Sequence, residues 1–547
     1  MKLSDLTRPP QQEHMHGTGP ITRYRPHYQN LMPPCNQACP AGENIQGWIA
    51  LVEAGEWQAA WRLLTRMNPM PAIHGRVCYH PCETGCNRAN VDSPVKIHAT
   101  ERYLGDLAIE RGWQFEPPSG STGKRILVIG SGPAGLSAAY HLRLHGHDVE
   151  LYESSEKLGG MMRYGIPAYR LPRDVLDAEI ARIEALGVQF HCNKRIEDIS
   201  TAKQNGNFDA VFLATGAPLA KQVDIPVRDA AKVFNAVSYL HQVEQHQAPL
   251  LGRKVAVYGG GNTAMDAART AKRLGADETV IIYRRDRAHM PAHEFEAQEA
   301  LDEGIAINWL SSIADIEEDE LTLEIMDIDA QGQVQPTGKF EKLQADSVIM
   351  ALGQQVETPL LTRIPNLNIE QGCVTVDDAF KVNADGVFAG GDLTPGTRSV
   401  TVATGQGRKA AQHIHAWLSG EIWRAPEKPP TANYQDLHLW YHTDANSGVQ
   451  TELAPDARVD SFDEIVQGFS QEQATFEASR CYSCGNCYEC DGCFGACPEQ
   501  AISILGKGKG YQINYEQCTG CGACALQCPT HAISLRPVDE ADKEGNA

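Results

Sequence analysis

The 547-residue chain has no apolar run long enough to cross a bilayer, and its opening, MKLSDLTRPPQQEHMHG, lacks a charged n-region leading into an apolar h-region. These absences argue against membrane insertion and secretion, so a cytoplasmic protein is expected. Positive charge is also short: 48 Lys and Arg face 69 Asp and Glu, a formal charge of −21. Nucleic acid and anionic lipid would be approached against like charge, which excludes both as partners. No cysteine precedes Cys35, and only Cys192 and Cys373 stand between Cys86 and Cys481. Isolated cysteines of that kind read as small core residues. The length allows roughly three to four domains.

Cysteine is instead crowded at the C-terminal end. Two copies of C-x2-C-x2-C-x3-C-P occur there: Cys487, Cys490, Cys493, Cys497 with Pro498, and Cys518, Cys521, Cys524, Cys528 with Pro529. That spacing is the signature of a two-cluster bacterial ferredoxin, in which the fourth thiolate of each run ligates the other cube. Cys487, Cys490, Cys493 and Cys528 are therefore expected around one [4Fe–4S] cluster, and Cys518, Cys521, Cys524 and Cys497 around the second. A zinc ribbon would pair C-x2-C knuckles without the triple run, and disulfides would need an oxidising compartment.

Two glycine motifs stand in strand–turn–helix context. KRILVIGSGPAGLSAAYHL carries Gly130, Gly132 and Gly135, and the next strand, DVELYE, ends in Glu153. The glycines permit the tight turn and close approach to a pyrophosphate, and the acid suits ribose hydroxyls. RKVAVYGGGNTAMDAARTAKRLG supplies Gly259, Gly261, Asn262 and Thr263, but its following strand ends in Tyr283-Arg284-Arg285 where an NAD site usually has an acid. Two guanidiniums suit a 2′-phosphate, so NADPH is expected, with NADH as the alternative. In GVFAGGDLTPGTRSVTVATGQG, Asp392 precedes a helix opening near Val400 to Ala403, with Val402 in its first turn. An Asp there suits a flavin's ribityl chain and pyrophosphate, and the helix N-terminus its pyrimidine end. DAVFLATGA (209–217) and DSVIMALGQ (346–354) read as strands crossing between the two nucleotide domains, and no redox Cys pair lies in the segment between 251 and 352.

Residues 35–420 resemble the small subunit of glutamate synthase and its relatives, including the N-terminal half of dihydropyrimidine dehydrogenase. The resemblance rests on PPCNQACPAG, GRVCYHPCETGCN, GSGPAGLSAA, LGGMMRYGIPAYRLP with Gly160, YGGGNTAMDAAR, YRRDRAHMPA and GVFAGGD. It implies an FAD enzyme that exchanges hydride with a nicotinamide nucleotide and single electrons with iron–sulfur clusters, without acid–base residues. It also implies service to a partner enzyme of the 2-oxoacid oxidoreductase, sulfite reductase or glutamate synthase type. Alternatives are a free-standing NADPH:ferredoxin oxidoreductase or bifurcating transhydrogenase, and an inert cluster scaffold.

The family carries two N-terminal clusters whose ligands begin with a C-x2-C pair, which is missing here. Carried over position by position, Cys39, Cys78, Cys82 and Glu101 belong to one cluster, while the other retains only Cys35 and Cys86. FEASRCYSCGNC has the expected context at the opposite end of the chain, so Cys481 and Cys484 are expected to complete that cluster. The alternative is that this cluster is lost and three remain. With four clusters, fifteen of the 17 cysteines are accounted for.

The fold expected is α/β, with two Rossmann-like dinucleotide-binding domains, the nicotinamide domain inserted into a split FAD domain. An N-terminal α-helical iron–sulfur domain and a C-terminal α+β ferredoxin-like domain flank them. The expected division is 1–30 extension, 31–118 helical iron–sulfur domain, 119–250 FAD domain, 251–352 NAD(P)H domain, 353–420 FAD domain, 421–475 connector and 476–547 ferredoxin domain. The polar 1–30 segment is expected to wrap a surface or stay loose, and the connector to run extended beside the N-terminal domain.

Overall fold

The computed structural model describes residues 23–221, 225–228, 232–364, 367–440 and 442–537. Most of the polar 1–30 segment, residues 1–22, lies outside them. Amphipathic patterning builds the first layer: helices Ile45–Glu53, Trp57–Thr65, Pro71–Val77 and Ile97–Glu110 turn Trp48, Ile49, Trp61, Leu64 and Leu104 inward. Trp61 stacks on Phe115, and the Arg182 guanidinium lies 5.2 Å from the Trp61 ring, fastening this layer to the next.

A five-stranded parallel sheet follows, ordered Val387–Ala389, Ala210–Leu213, Arg125–Ile129, Asp148–Tyr152, Gln189–His191. Its central strands are buried on both faces, hence their unbroken apolar runs ILVI and AVFL. A second parallel sheet runs Ala306–Trp309, Glu278–Tyr283, Lys254–Tyr258, Ser347–Met350, Val233–Asn235. Its last strand lies upstream of residue 251. Gln354–Gln355 pairs with Leu219–Ala220 where the chain crosses between the sheets. The sequence reading did not include the antiparallel sheet of Ser311–Glu317, Glu320–Ile328 and Val334–Gln344.

Helix Val400–Leu418 sits between two neighbours at backbone contact. A Cβ on Gly407 would lie 2.2 Å from Ala134 O on helix Pro133–Leu144, and one on Gly405 2.1 Å from Pro40 O. This helix and the Cys39–Ala41 loop therefore touch without intervening side chains. Among the described residues of 421–475, helical structure is confined to the turn Tyr434–Asp436, the short helix Pro455–Arg458 and the start of helix Gln471–Ser479. They lie along the helical layer: Asn87 donates to Ala432 O, and Glu464 pairs with Arg76 and Arg102.

The two ends of the described chain meet. Tyr24–Tyr28 forms an antiparallel strand on Ile533–Pro537, so of the two expectations for the 1–30 segment, wrapping a surface or staying loose, residues 24–28 follow the first. Among the described residues no helix is long and apolar enough to cross a membrane.

Candidate functional site

Gly130, Gly132 and Gly135 form the turn from strand Arg125–Ile129 into helix Pro133–Leu144. A Cβ on Gly135 would sit 1.9 Å from Gly130 O and one on Gly130 2.4 Å from Ala214 O, whereas Gly132 faces open space. That combination leaves room for a pyrophosphate against bare backbone. Gly160, at φ 51°, brings a second loop to Gly132, where a Cβ would meet its Cα at 2.9 Å. Glu153 is folded onto the turn: it accepts from Ser131 N (3.0 Å), Ser131 Oγ (2.6 Å) and Ser155 N (2.8 Å). Asp392 follows strand Val387–Ala389, and burial lifts its carboxyl to about 6 against the pull of Arg398. Ser399 caps helix Val400–Leu418 by accepting from Val402 N at 3.2 Å, so that N–H is already engaged.

The second glycine turn opens a cleft of about 450 Å³ lined by Gly259, Gly261, Thr263, Tyr283, Arg284, Arg285 and, unforeseen from sequence, Lys221 and Asn235. A Cβ on Gly259 would meet Ala351 O at 2.3 Å, while Gly261 faces open space. The Nε of Arg285 is buried without a hydrogen-bond partner among the described residues, an orphan donor suited to a phosphate. Asn262 turns its amide elsewhere: Nδ2 donates to Tyr79 Oη at 2.6 Å, and Oδ1 accepts from His293 N at 3.0 Å. Tyr79, stacked on His293 at 3.7 Å, follows Cys78 directly and so joins the cysteine-bearing layer to this domain.

All 17 cysteines are free. Cys35, Cys86, Cys481 and Cys484 line one small cavity with Pro34, Ile49 and Val95. Burial drives the Cys35 thiol far up, and Cys481, Cys86 and Cys484 push the same way, while four sulfurs around one cavity are a donor set that fits a cube. The contact between the two ends is reinforced by FEASRC itself. Arg480 donates to Asp92 Oδ1 (3.1 Å), Ser93 O (2.8 Å) and Glu477 Oε2 (2.8 Å), and Arg88 Nη1 donates to Arg480 O (2.9 Å).

Cys39, Cys78 and Cys82 form a second group with Glu101, which lies on helix Ile97–Glu110. Burial raises all three thiols and brings Cys78 to about 12, with Glu101 adding to it throughout and neighbouring cysteines adding at Cys39 and Cys82. Glu101 is itself raised, by burial and by Glu43. Asn68 Nδ2 donates to Glu43 Oε1 at 3.0 Å and to Glu101 Oε1 at 2.8 Å, holding two carboxyls beside the thiols. Glu43 carried no signal in the sequence. Further on, Cys487 neighbours Cys490, Cys493 and Cys528, while Cys497, Cys518, Cys521 and Cys524 share another cavity.

Two nucleotide sheets, two glycine turns and tetrads of free thiols define a flavin- and nicotinamide-dependent oxidoreductase with iron–sulfur domains at both ends. The chain belongs to the pyridine nucleotide-disulphide oxidoreductase family, whose model matches residues 124–407. A dihydropyrimidine dehydrogenase domain II, 4Fe-4S cluster model matches 28–113, and a 4Fe-4S dicluster domain model 486–532. The NADP(+)-dependent formate dehydrogenase subunit beta of Moorella thermoacetica is 33% identical over 503 residues, covering 82% of this chain and 70% of that one. The NADPH-Fe(3+) oxidoreductase subunit beta of Geobacter sulfurreducens is 31% identical over 510 residues, covering 82% and 75%. The glutamate synthase [NADPH] small chain of Azospirillum brasilense is 34% identical over 420 residues, covering 71% and 87%. The resemblance drawn from the motifs is therefore one of homology.

Proposed function

We propose that the chain is the NADPH-linked electron-transfer subunit of a larger redox enzyme, exchanging electrons with a catalytic partner through its ferredoxin end. The observation that supports this reading most is the backbone contact between the helix bearing Gly405 and the Cys39–Ala41 loop, which sets the flavin's binding helix against the first thiol group. From there Cys35 and Cys86, together with Cys481 and Cys484, lead to the ferredoxin thiols. Two of the relatives are named as beta subunits, which favours a partner over a free-standing enzyme.

Bound FAD would take a hydride as an electron pair and release the electrons singly to iron–sulfur cubes. This chain's own residues bind and orient. Gly132 and Gly261 leave space for pyrophosphates, Asp392 holds the ribityl end, and Arg284 and Arg285 take the 2′-phosphate. Ligation of four cubes is assigned to Cys35, Cys86, Cys481 and Cys484; to Cys39, Cys78, Cys82 and Glu101; and to the two crossed ferredoxin sets. Asn68 keeps Glu101 turned toward the thiols. No side chain need move a proton, so the protein's contribution is alignment and exclusion of water.

Anaerobic rapid mixing with NADPH or NADH tests the nucleotide assignment. Replacing Arg284 and Arg285 together by Ala removes two charged donors, each contributing about 1.5–3 kcal/mol. The rate per unit NADPH should fall roughly 10²- to 10⁴-fold while NADH is nearly unaffected. Equal losses with both nucleotides would remove these arginines from the 2′-phosphate site.

A further inference from the structure

Tyr28 stands 465 positions before Cys493, yet its Oη lies 3.2 Å from Cys493 Sγ. A ligating thiolate carries no proton, so with metal bound the phenol is the donor and the sulfur the acceptor. We propose that Tyr28 tunes the reduction potential of the cube held by Cys493: its O–H donates to that sulfur, and the N-terminal strand is what delivers it. The inference rests on the cluster assignment above and deepens it.

The geometry is built from both sides. Tyr28 pairs with Ile533 at the end of the strand Tyr24–Tyr28, and Gln29 continues the contact through its N–H to Ala532 O (2.9 Å) and its amide to His531 O (3.0 Å). The strand is held from beneath as well: Tyr515 Oη donates to Pro26 O at 3.0 Å, and Arg25 Nη1 to Tyr515 O at 2.8 Å. The Tyr28 ring stacks on Tyr511, whose own hydroxyl is spent on Asp491 Oδ1 at 2.7 Å. Other donors to the ferredoxin sulfurs are local: Ala501 N to Cys497, Ala532 N to Cys528, and the Thr530 hydroxyl beside Cys528. Tyr28 comes from the other end of the chain. A donor to a ligand sulfur stabilises the more negative, reduced cluster and raises its potential. Tyr28 is thus a positioning residue acting through Cys493.

The full chain carrying Tyr28→Phe keeps the ring and its stacking but loses the donor. A redox titration followed by paramagnetic resonance should show one ferredoxin cube shifted to more negative potential, with its partner cube and the remaining clusters in place. Tyr515→Phe is the control: it removes one strand anchor and no hydrogen bond to a sulfur, and with Arg25, Gln29 and the strand ladder still holding Tyr28 it should leave all potentials where they were. In deuterated buffer the wild type should exchange a proton coupled to that cube, and Tyr28→Phe should lack it. Unshifted potentials in Tyr28→Phe, or the same shift in both variants, overturn the proposal while leaving the clusters standing. A wild type without two ferredoxin signals overturns the cluster assignment and the proposal together.

Discussion

Replacing Cys484 by Ser is expected to remove one whole cube: iron should fall from roughly sixteen to roughly twelve per flavin, while both ferredoxin signals persist. Cys484 shares its cavity with Cys35, Cys86 and Cys481, contributed by opposite ends of the chain. Its sulfur accepts from Asn87 Nδ2 at 3.5 Å, so the ligand is also oriented from the N-terminal layer. A cube there is both relay and cross-link, because metal binding to a site formed only on folding adds its free energy to folding. The variant should therefore also unfold at lower temperature. It should not fall apart, since the strand pair Tyr24–Tyr28 with Ile533–Pro537 and the buried Arg480–Asp92 contact remain. Breaking that ion pair instead, with Arg480→Ala, takes one partner from each of Asp92 and Glu477, but Asp92 keeps Arg88 at 2.6 Å and Glu477 the Lys96 N–H at 2.9 Å, so the cost should be about 1–3 kcal/mol. Iron analysis and a thermal melt on the same preparation read both effects. Sixteen irons in Cys484→Ser, or loss of the ferredoxin signals along with the cube, would end the assignment.

What the sequence made legible followed the range of the interactions involved. The cysteine runs and glycine turns are local: each is complete within about 30 residues, and spacing alone carries the chemistry. The pairing of Cys481 and Cys484 with Cys35 and Cys86 was reachable because FEASRC keeps its context wherever it stands, and Glu477 and Arg480 now explain that context as the residues that bind the ends together. The strand Tyr24–Tyr28 was illegible because it is five residues, YRPHY, with no alternation and a partner at the far end. Val233–Asn235 is three residues long, too short for a period-two pattern to register, so the second sheet begins earlier than composition suggested. Glu43 and Lys221 acquire their places only through tertiary contact: one beside Glu101 through Asn68, the other at the mouth of the nucleotide cleft.

Gly405→Ala should separate the two halves of the electron path. Inside a helix, alanine is preferred over glycine by about 1 kcal/mol, so propensity alone forecasts a stabilised protein. Packing opposes it: the added Cβ would lie 2.1 Å from Pro40 O, a backbone atom that no rotamer change can withdraw. Overpacking of this kind costs about 1–3 kcal/mol or more, and it is relieved only by moving the helix Val400–Leu418 or the Cys39–Ala41 loop by about 1 Å. The cleft around Arg284 lies elsewhere, and Gly407, two residues on, holds the helix against Ala134 in the first glycine turn, so the Cys39–Ala41 loop is the side that yields and reduction of the flavin by NADPH should keep its rate. Reduction of the clusters should slow by about 10–10²-fold, the loss expected for a misplacement of that size between reacting groups. Rapid mixing resolves the two phases at separate wavelengths. If both phases keep their rates, the contact between Gly405 and Pro40 has no part in the transfer; if both slow together, the substitution has disturbed the flavin site itself. A slowed second phase alone places the junction between flavin and clusters at this contact.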